Sequence, residues 1–430
     1  MKRLMLAAVL AFGFASAQDL VTQDRIGPSD APNAMTFAAL AHFTNSNGLP
    51  EFAEGFQEAY EAFAEDHPDW RVDMQLMRDN INQEMARILE QARVGRAPAC
   101  ATIDSFQLAL FKQQGALQPV SEHFTQEQIE DLFPYVRDGI TGEDGEIYAY
   151  WFDTGLRVLY YRTDLVPEAP RTWDEAIEAA VAAQEADPSV DGMLFNGGRS
   201  EGTSFDFLAH FWSQGGDLVD SEGRPVFGEE PHRTYLANAL GYYRDLVESG
   251  AAPRRVASIA GYDDMLGSIR AGSVAMIQGA SGQWTQMSSV LEEDELAQWD
   301  VALPPAREAD QFATGTGGWT IAALSDDPDE VRVCMDLAKS VYRGTANSIT
   351  GGLPTSVELF DTIPRFQDDP YSRFGEFLEH GRARPGVAIY PEISNQLQIV
   401  ISEILSGSSS IEDAIDGAVE EVDAAYQRLQ

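Results

Sequence analysis

Aromatic, amide and charged side chains fall at the ends of several predicted strands, where they could bind a ligand by stacking and hydrogen bonding. Tryptophan offers a flat apolar face, and charged groups make hydrogen bonds about twice as strong as neutral ones. The candidate binding residues are Thr44, Asn45, Asp104, Trp151, Asp153, Asn196, Arg199, Trp284, Trp319, Arg382 and Tyr390. They have the chemistry of a binding site.

Each candidate also has a purely structural alternative. The tryptophans and Tyr390 can pack in the core. Asp104 can cap the helix that follows it, and Asp153 can be an ordinary turn residue. Arg382 or its neighbour Arg384 can pair with one of the many acids on the surface.

Catalytic signals are weak. The chain has no HExxH and no GxSxG motif, and its 6 histidines show no ligand spacing, so neither a metal hydrolase nor a serine triad is indicated. A glycosidase would use paired carboxylates. With 69 acidic residues, some pair will always be close, so that signal carries no weight. We predict no enzyme activity, no metal and no cofactor.

The stretch Glu146–Leu165 contains two β-rich runs, Ile147–Phe152 and Leu156–Tyr161, with a polar break at Asp153–Gly155. Branched and aromatic residues suit a half-buried strand. The two runs could form a hairpin or a single strand that passes from one lobe into another. We favour the single strand, because α/β patterns lie on both sides of it.

From Met35 onward, short apolar runs alternate with amphipathic helical patterns, and a second such series follows residue 170. This alternation predicts an α/β protein with two lobes, each a mainly parallel sheet flanked by helices. Ligands of such sheets bind beyond the carboxyl ends of the strands. The loops His42–Asn47 and Asp104–Phe106 are therefore expected near the site in the first lobe.

The charge balance excludes some partners. Lys and Arg number 29 against 69 Asp and Glu, a formal charge of −40, so nucleic-acid binding is not expected. The 2 cysteines, Cys100 and Cys334, could form one disulfide, but nothing in the sequence brings them together. We expect two buried free thiols.

Residues 1–17 have the pattern of a secretory signal peptide. Lys2 and Arg3 precede the apolar run Leu4–Phe14, and Ala15–Ala17 has the small-x-small form of a cleavage site. No cysteine lies near this cleavage site, so we do not expect a lipid anchor. The mature chain is expected to begin near Gln18 and to lie in the periplasm or another extracytoplasmic space.

The order of these motifs resembles the family 1 extracellular solute-binding proteins of bacterial ABC importers, the group that contains maltose-binding protein. The resemblance covers nearly all of the mature chain, and the motifs gain specificity from their order and spacing. They are FAEGFQEAYEAFAEDHPDWRV, GRAPACATID, GEIYAYWFDTGLRVLYYRTDLV, RTWDEAIEAA, AGSVAMIQGASGQW, GGWTIAALS, GGLPTS and RARPGVAIYPEIS. Cys100 departs from the pattern, because relatives commonly carry an acidic residue there.

The resemblance implies the periplasmic binding protein fold, with two lobes joined by three crossover segments. The first is the central stretch, the second lies near 305–316 and the third near 357–367. We expect residues 18–152 and 310–360 to form the first lobe, and residues 153–309 and 361–430 the second.

The resemblance also implies a function without chemistry. A monomer would hold a sugar or oligosaccharide between the lobes and deliver it to the permease subunits of an ABC importer. The alternative within the family is a carrier of glycerol-3-phosphate, a related phosphate ester or a polyol. A phosphate would need a basic or glycine-rich cluster, for which Gly197–Arg199 and Arg382 are candidates.

Overall fold

The structure is a computed structural model that describes residues 20–77 and 81–429. The predicted signal peptide lies outside the described residues. Within them, no helix combines the length and the apolar character needed to cross a membrane.

The described part of the chain contains eleven strands and eighteen α-helices. The strands are β1 (Val21–Thr22), β2 (Arg25–Ile26), β3 (Asn33–Leu40), β4 (Trp70–Met77), β5 (Cys100–Asp104), β6 (Tyr150–Arg162), β7 (Asp191–Leu194), β8 (Val274–Ala280), β9 (Trp299–Ala302), β10 (Thr314–Ala323) and β11 (Gly381–Ala383). The first nine helices are α1 (Pro50–Asp66), α2 (Ile81–Arg93), α3 (Leu108–Gln113), α4 (Gln126–Glu130), α5 (Pro134–Ile140), α6 (Trp173–Ala186), α7 (Glu201–Trp212), α8 (His232–Glu248) and α9 (Asp263–Arg270). The remaining helices are α10 (Gln283–Val290), α11 (Glu293–Leu296), α12 (Pro328–Leu337), α13 (Asn347–Thr350), α14 (Val357–Thr362), α15 (Pro364–Gln367), α16 (Tyr371–Phe377), α17 (Tyr390–Ser406) and α18 (Ile411–Leu429).

Two strand groups meet along β6 and β10. The order across the sheet is β1-β2-β4-β3-β5-β10-β6-β8-β7, with β11 paired to β10 and β9 to β6. Strands β3, β4 and β5 are parallel, as are β7 and β8. We call β1–β5 with their helices the first lobe, and β7–β9 with theirs the second. The predicted two-lobed α/β fold is confirmed.

Strand β6 is one uninterrupted strand that serves both lobes. Its first half, Tyr150–Leu156, pairs with β10, which in turn pairs with β5. Its second half, Arg157–Arg162, pairs with β8 and β9. The prediction of a single strand between lobes is therefore confirmed, and the hairpin alternative is wrong.

A glycine allows β6 and β10 to lie close together near Asp153, where both strands pass between the lobes. We call this place the crossing of β6 and β10. A Cβ atom on Gly318 would lie 1.9 Å from the main-chain oxygen of Asp153. In the next register position Trp319 of β10 faces Asp153 of β6, and the register shifts between Trp319 and Thr320. These two neighbours therefore project from adjacent strands on the same face of the sheet.

Helix positions follow the sequence signals. The aromatic face predicted for the first helix is buried in α1, through Phe52, Phe56, Tyr60 and Phe63. Helix α6 begins with the predicted capping box, in which Thr172 accepts from the Glu175 amide and Glu175 accepts from the Thr172 amide.

The expectation of two free thiols is wrong. Cys100 in β5 and Cys334 in α12 form a disulfide, and both residues are fully buried. Helix α12 packs against β5 and β10, which brings the cysteines together across 234 positions of sequence. That proximity arises from tertiary packing and leaves no local trace in the sequence.

A buried polar chain fixes α7 to β8 in the second lobe. The Trp173 indole donates to His210 Nδ1 (3.2 Å), and His210 Nε2 donates to Gln278 Oε1 (2.8 Å). The Gln278 amide then donates to the main-chain oxygen of Asp206 (2.8 Å). Burial lowers the pKa of His210 to about 4, so the imidazole is neutral at pH 7.

Replacing both cysteines by alanine should lower the free energy of unfolding by about 2–4 kcal/mol, because the disulfide closes a long loop in the unfolded chain. Urea unfolding of the wild type and the Cys100→Ala/Cys334→Ala variant measures this difference. Reductant should bring the wild type close to the variant and leave the variant unchanged. Detection of two thiols in the denatured, unreduced wild type would contradict the disulfide.

The stability of the second lobe should depend on pH through His210. The pKa of His210 in the folded protein, about 4, lies below the ordinary 6.5. The stability contributed by the buried neutral imidazole is therefore complete above pH 6.5 and is lost as the pH falls towards 4. The loss amounts to about 3 kcal/mol at 1.36 kcal/mol per pKa unit. Unfolding free energies of wild type and His210→Gln at several pH values test this. Equal losses in both proteins between pH 6.5 and 4 would contradict it.

Candidate functional site

A cavity of ≈ 870 Å³ lies at the crossing of β6 and β10, beside Asp153, Gly318 and Trp319. In the first lobe, His42 and Phe43 line it just after β3, and Asp104 lines it at the end of β5. In the second lobe, Ser281 lines it just after β8. The carboxyl ends of strands from both lobes therefore open onto one space, which is where ligands of α/β sheets bind.

Asp153 is buried in the wall of this cavity without a partner. Its residue is 9% exposed, and its carboxylate makes no hydrogen bond or ion pair with any described residue. Burial raises the pKa of the Asp153 carboxyl well above its usual value. A desolvated acid that lines a cavity and lacks a structural partner is typical of a functional site.

The segment that follows α13 encloses the Asp153 side chain. Leu353 exchanges two main-chain hydrogen bonds with Thr154, at 2.9 and 3.1 Å. This pairing places Gly352 against the carboxylate, and a Cβ atom there would lie 1.8 Å from Asp153 Oδ1. The glycine therefore makes room for the acid.

Trp319 supplies an aromatic surface beside Asp153. It lines the cavity, is half-buried, and packs edge-on against Phe43 with ring centroids 6.4 Å apart. Because Trp319 and Asp153 are cross-strand neighbours, a flat apolar surface and an acidic group meet at one point of the wall.

Two buried arginines form another part of the wall. The guanidinium carbons of Arg157 and Arg384 lie over the Phe205 ring, 4.2 and 4.3 Å from its centroid. Gly317 makes room for this arrangement, because a Cβ atom there would lie 2.9 Å from Arg384 Nη2. The contacts are cation–π interactions shielded from water.

The charge of Arg157 is balanced within the second lobe. Its Nη1 lies 3.4 Å from Asp206 Oδ1 and also contacts the Tyr262 hydroxyl. Asp206 accepts further hydrogen bonds from Tyr262 (2.7 Å) and Asn196 (2.8 Å). Burial raises the pKa of Asp206, and the positive charge of Arg157 opposes that rise.

Arg384 joins the two lobes electrostatically. Its Nη2 donates to Asp104 Oδ1 at the end of β5 (3.1 Å), and its Nη1 donates to Glu201 Oε1 at the start of α7 (3.0 Å). Tyr390 donates to the same Glu201 oxygen (2.7 Å). Burial raises the pKa of Asp104, again opposed by the arginine.

Asp104, Asp153 and Trp319 are the predicted site residues that line the cavity. Three other predicted residues do not line the cavity but form hydrogen bonds to residues in or behind its wall. Trp151 donates its indole N–H to the main-chain oxygen of Asp153 (2.8 Å). Asn196 holds Asp206, and Tyr390 holds Glu201.

The remaining predicted residues make other contacts. Thr44 bonds to the Ala41 oxygen (3.0 Å) and Asn45 to Gln57 Oε1 (2.8 Å). Arg199 is exposed beside Asn395 (3.4 Å). Arg382 pairs with Asp217, bonds to the Gly216 oxygen (3.0 Å) and lies over the Trp212 ring. Trp284 stacks on Tyr160 with ring planes 10° apart. Ligand contacts by these residues stay predictions.

The sequence interpretation missed Arg157, Phe205 and Tyr262. A signal existed for Arg157, because Asp153, Gly155 and Arg157 recur with the period of a strand and all three line the cavity. A charged residue in so apolar a run pointed to a function or a buried partner. Phe205 in α7 and Tyr262 just before α9 carried no such signal, since these segments reach the cavity only through tertiary packing.

A second cavity of ≈ 990 Å³ lies elsewhere, between Lys112, Tyr148, Val387 and Tyr426. The Lys112 ammonium already donates to the Thr141 oxygen (2.8 Å) and the Gly139 oxygen (3.3 Å). None of the strands in the described ranges contributes a residue to the lining of this cavity, so we assign the site to the crossing. The described ranges hold no group of three or more His, Cys, Asp or Glu residues arranged to bind a metal.

Comparisons with known proteins agree with this architecture. The sequence profile of the family described as bacterial extracellular solute-binding protein matches residues 49–340. A mannitol-binding protein of Pseudomonas aeruginosa is 24% identical over 319 residues, 72% of this chain and 69% of the relative. A lactose-binding protein of Rhizobium radiobacter is 22% identical over 305 residues, 66% of each chain.

Solved structures show the same fold. Maltose-bound MalE3 of T. maritima has a TM-score of 0.75 at 23% identity, covering 91% of this chain and 100% of that one. The sugar-binding protein MalE of Xanthomonas citri has a TM-score of 0.76 at 19% identity, covering 92% and 98%. The profile match and the two-lobed fold confirm the resemblance found in the sequence motifs. The chain belongs to the bacterial extracellular solute-binding proteins.

Proposed function

We propose that this protein binds a sugar or polyol in the cavity at the crossing of β6 and β10 and delivers it to the permease of an ABC importer. The observation that carries the proposal is the cross-strand pair of Asp153 and Trp319 on one wall of that cavity. The names of the mannitol- and lactose-binding relatives support the same class of ligand.

The chemistry of the pair suits a polyhydroxylated ligand. A sugar ring has flat faces of C–H groups, which pack on an aromatic surface such as Trp319. Its edge carries hydroxyls, which donate to a carboxylate in charge-assisted hydrogen bonds. Ser281 and Gln283 line the opposite, second-lobe side and offer further polar atoms.

Binding would couple to closure of the lobes. We propose the boundaries expected from the sequence, with residues 18–152 and 310–360 in one lobe and 153–309 and 361–430 in the other. Because β6 and β10 connect the lobes, small dihedral changes near their crossing allow a hinge motion. A ligand that contacts both walls stabilises the closed form by its extra contacts there.

The partners and the location follow from this role. The monomer, freed of residues 1–17 by signal peptidase, would act in the periplasm or an equivalent extracytoplasmic space. Its closed form would dock on permease subunits in the membrane. Binding and release involve no covalent step, so we propose no enzyme activity.

A phosphate-ester ligand is less well supported by the charges. Both buried arginines of the cavity, Arg157 and Arg384, are already paired with carboxylates. The other expected phosphate ligands, Gly197–Arg199 and Arg382, do not line the cavity. A phosphate there would have to compete with Asp104, Asp206 and Glu201 for these two arginines. The third lining arginine, Arg365, donates to the Ser348 oxygen and lies over the Tyr371 ring.

A thermal-shift screen of the mature chain, residues 18–430, tests the function. The ligands are mono-, di- and trisaccharides, hexitols and glycerol-3-phosphate. A ligand at a thousandfold excess over its Kd stabilises the folded state by about 4 kcal/mol, which gives a clear rise in Tm. A shift with glycerol-3-phosphate alone would favour the alternative. No shift with any sugar or polyol, combined with hydrolysis of a glycoside, would contradict the proposal.

Trp319→Ala should weaken binding of the ligand found in that screen at least about tenfold, because the aromatic surface of the wall is lost. Titration calorimetry measures the Kd. Trp284→Ala is the matched control, since Trp284 stacks on Tyr160 and does not line the cavity. A large loss with Trp284→Ala and none with Trp319→Ala would instead assign the aromatic surface of the site to Trp284, which the sequence also predicted.

A further inference from the structure

We propose that the site prefers a ligand that carries an ammonium group, such as an amino sugar or an aminated polyol, and that this group binds Asp153. The inference rests on the proposed function, because it specifies which member of the sugar and polyol class the cavity selects.

Two acids among the described residues line the cavity without an ion pair, the exposed Glu51 and the buried Asp153. Water solvates Glu51, whereas burial removes most of that solvation from Asp153. Asp104, which also lines the wall, pairs with Arg384. Asp206, behind the wall, pairs with Arg157. Asp153 is 9% exposed as a residue, and its Oδ1 is buried with no hydrogen-bond partner among the described residues. An ion that has lost its water and gained no partner is destabilised until a ligand supplies one.

The groups that surround Asp153 do not supply this partner. The Tyr135 hydroxyl is hydrogen-bonded to Thr154 Oγ1 (3.0 Å). Gly352 presents its Cα to the carboxylate. Arg365, near the neighbouring Gly351, donates to the Ser348 oxygen (3.0 Å) and lies over the Tyr371 ring. It forms no ion pair with Asp153. The rise that burial causes in the pKa of Asp153 is consistent with this lack of a counter-charge.

An ammonium group meets the requirement more fully than a hydroxyl does. Both can donate hydrogen bonds to the carboxylate, but the ammonium also brings a positive charge to Asp153, with which none of the lining arginines Arg157, Arg365 and Arg384 forms an ion pair. The attraction between opposite charges grows as closure removes water from the cavity. The excess of 69 acidic over 29 basic residues adds a long-range field that concentrates cations around the protein.

The test is isothermal titration calorimetry of mature wild-type protein with matched ligands. The pairs are glucosamine and glucose, galactosamine and galactose, and glucamine and sorbitol, in each of which one amine replaces one hydroxyl. We expect the amine to bind at least about tenfold tighter in one or more pairs. N-acetylglucosamine keeps the nitrogen but not the charge, and it should lose the advantage of glucosamine.

Two variants assign the preference to Asp153. Asp153→Asn keeps the shape of the side chain and removes the charge, so it should abolish the tenfold preference. Asp138→Asn makes the same change at an exposed position outside the cavity and should retain it. Loss of the preference in Asp138→Asn, or its persistence in a folded Asp153→Asn, would overturn the inference.

If Asp153→Asn does not fold, the titrations of the wild-type protein still test the inference. The inference is overturned, and the proposed function left standing, if the neutral ligand binds as tightly as its amine in every pair. The same holds if N-acetylglucosamine binds as tightly as a glucosamine that is preferred over glucose. Absence of binding by every amine and every neutral sugar or polyol, including the di- and trisaccharides of the thermal screen, overturns both.

Discussion

The main-chain pairing of β6 with β10 is the interaction on which the two-lobed structure depends. β6 carries hydrogen bonds to the first lobe through β10 and to the second lobe through β8 and β9. The lobes therefore share one continuous sheet at their junction. Because Gly318 lets the strands approach closely, the side chains next to it, Asp153 and Trp319, are held at the point where a ligand would contact both lobes.

Compensation of buried charge is the second constraint. Taking ionised groups out of water is costly unless each one is paired and hydrogen-bonded. The wall meets this requirement for Arg157 with Asp206, and for Arg384 with Asp104 and Glu201. Arg384 lies between acids of different lobes, so its pairing also depends on how the lobes sit against each other. Asp153 is the exception, and this exception makes it the most informative residue of the site.

The sequence predicted those features that depend on local pattern. The run of branched and aromatic residues around Asp153 marked β6, and Thr172 with Glu175 marked the start of α6. The carboxyl-end rule for parallel strands brought Asp104 to the site. Asp153 and Trp319 were also predicted as binding residues, and both line the cavity.

The features that the sequence did not predict depend on tertiary packing. Cys100 and Cys334 meet only because α12 packs on β5. Phe205 reaches the cavity from the middle of α7, where an aromatic residue more often belongs to the core. Trp284 follows the end of β8, but its ring stacks on Tyr160 and it is not among the residues that line the cavity. The position of a residue relative to a strand can be predicted from the sequence. The contacts that its side chain makes depend on neighbours distant in sequence.

The most direct measurement is a crystal structure of the mature protein with the sugar or polyol that gives the largest thermal shift. We expect the ligand to lie in the cavity at the crossing of β6 and β10, with a face against Trp319. We also expect a ligand donor within hydrogen-bonding distance of the Asp153 carboxylate, about 2.7–3.2 Å. A ligand bound in the cavity beside Lys112, or one at the crossing that leaves Asp153 without a contact, would contradict the account.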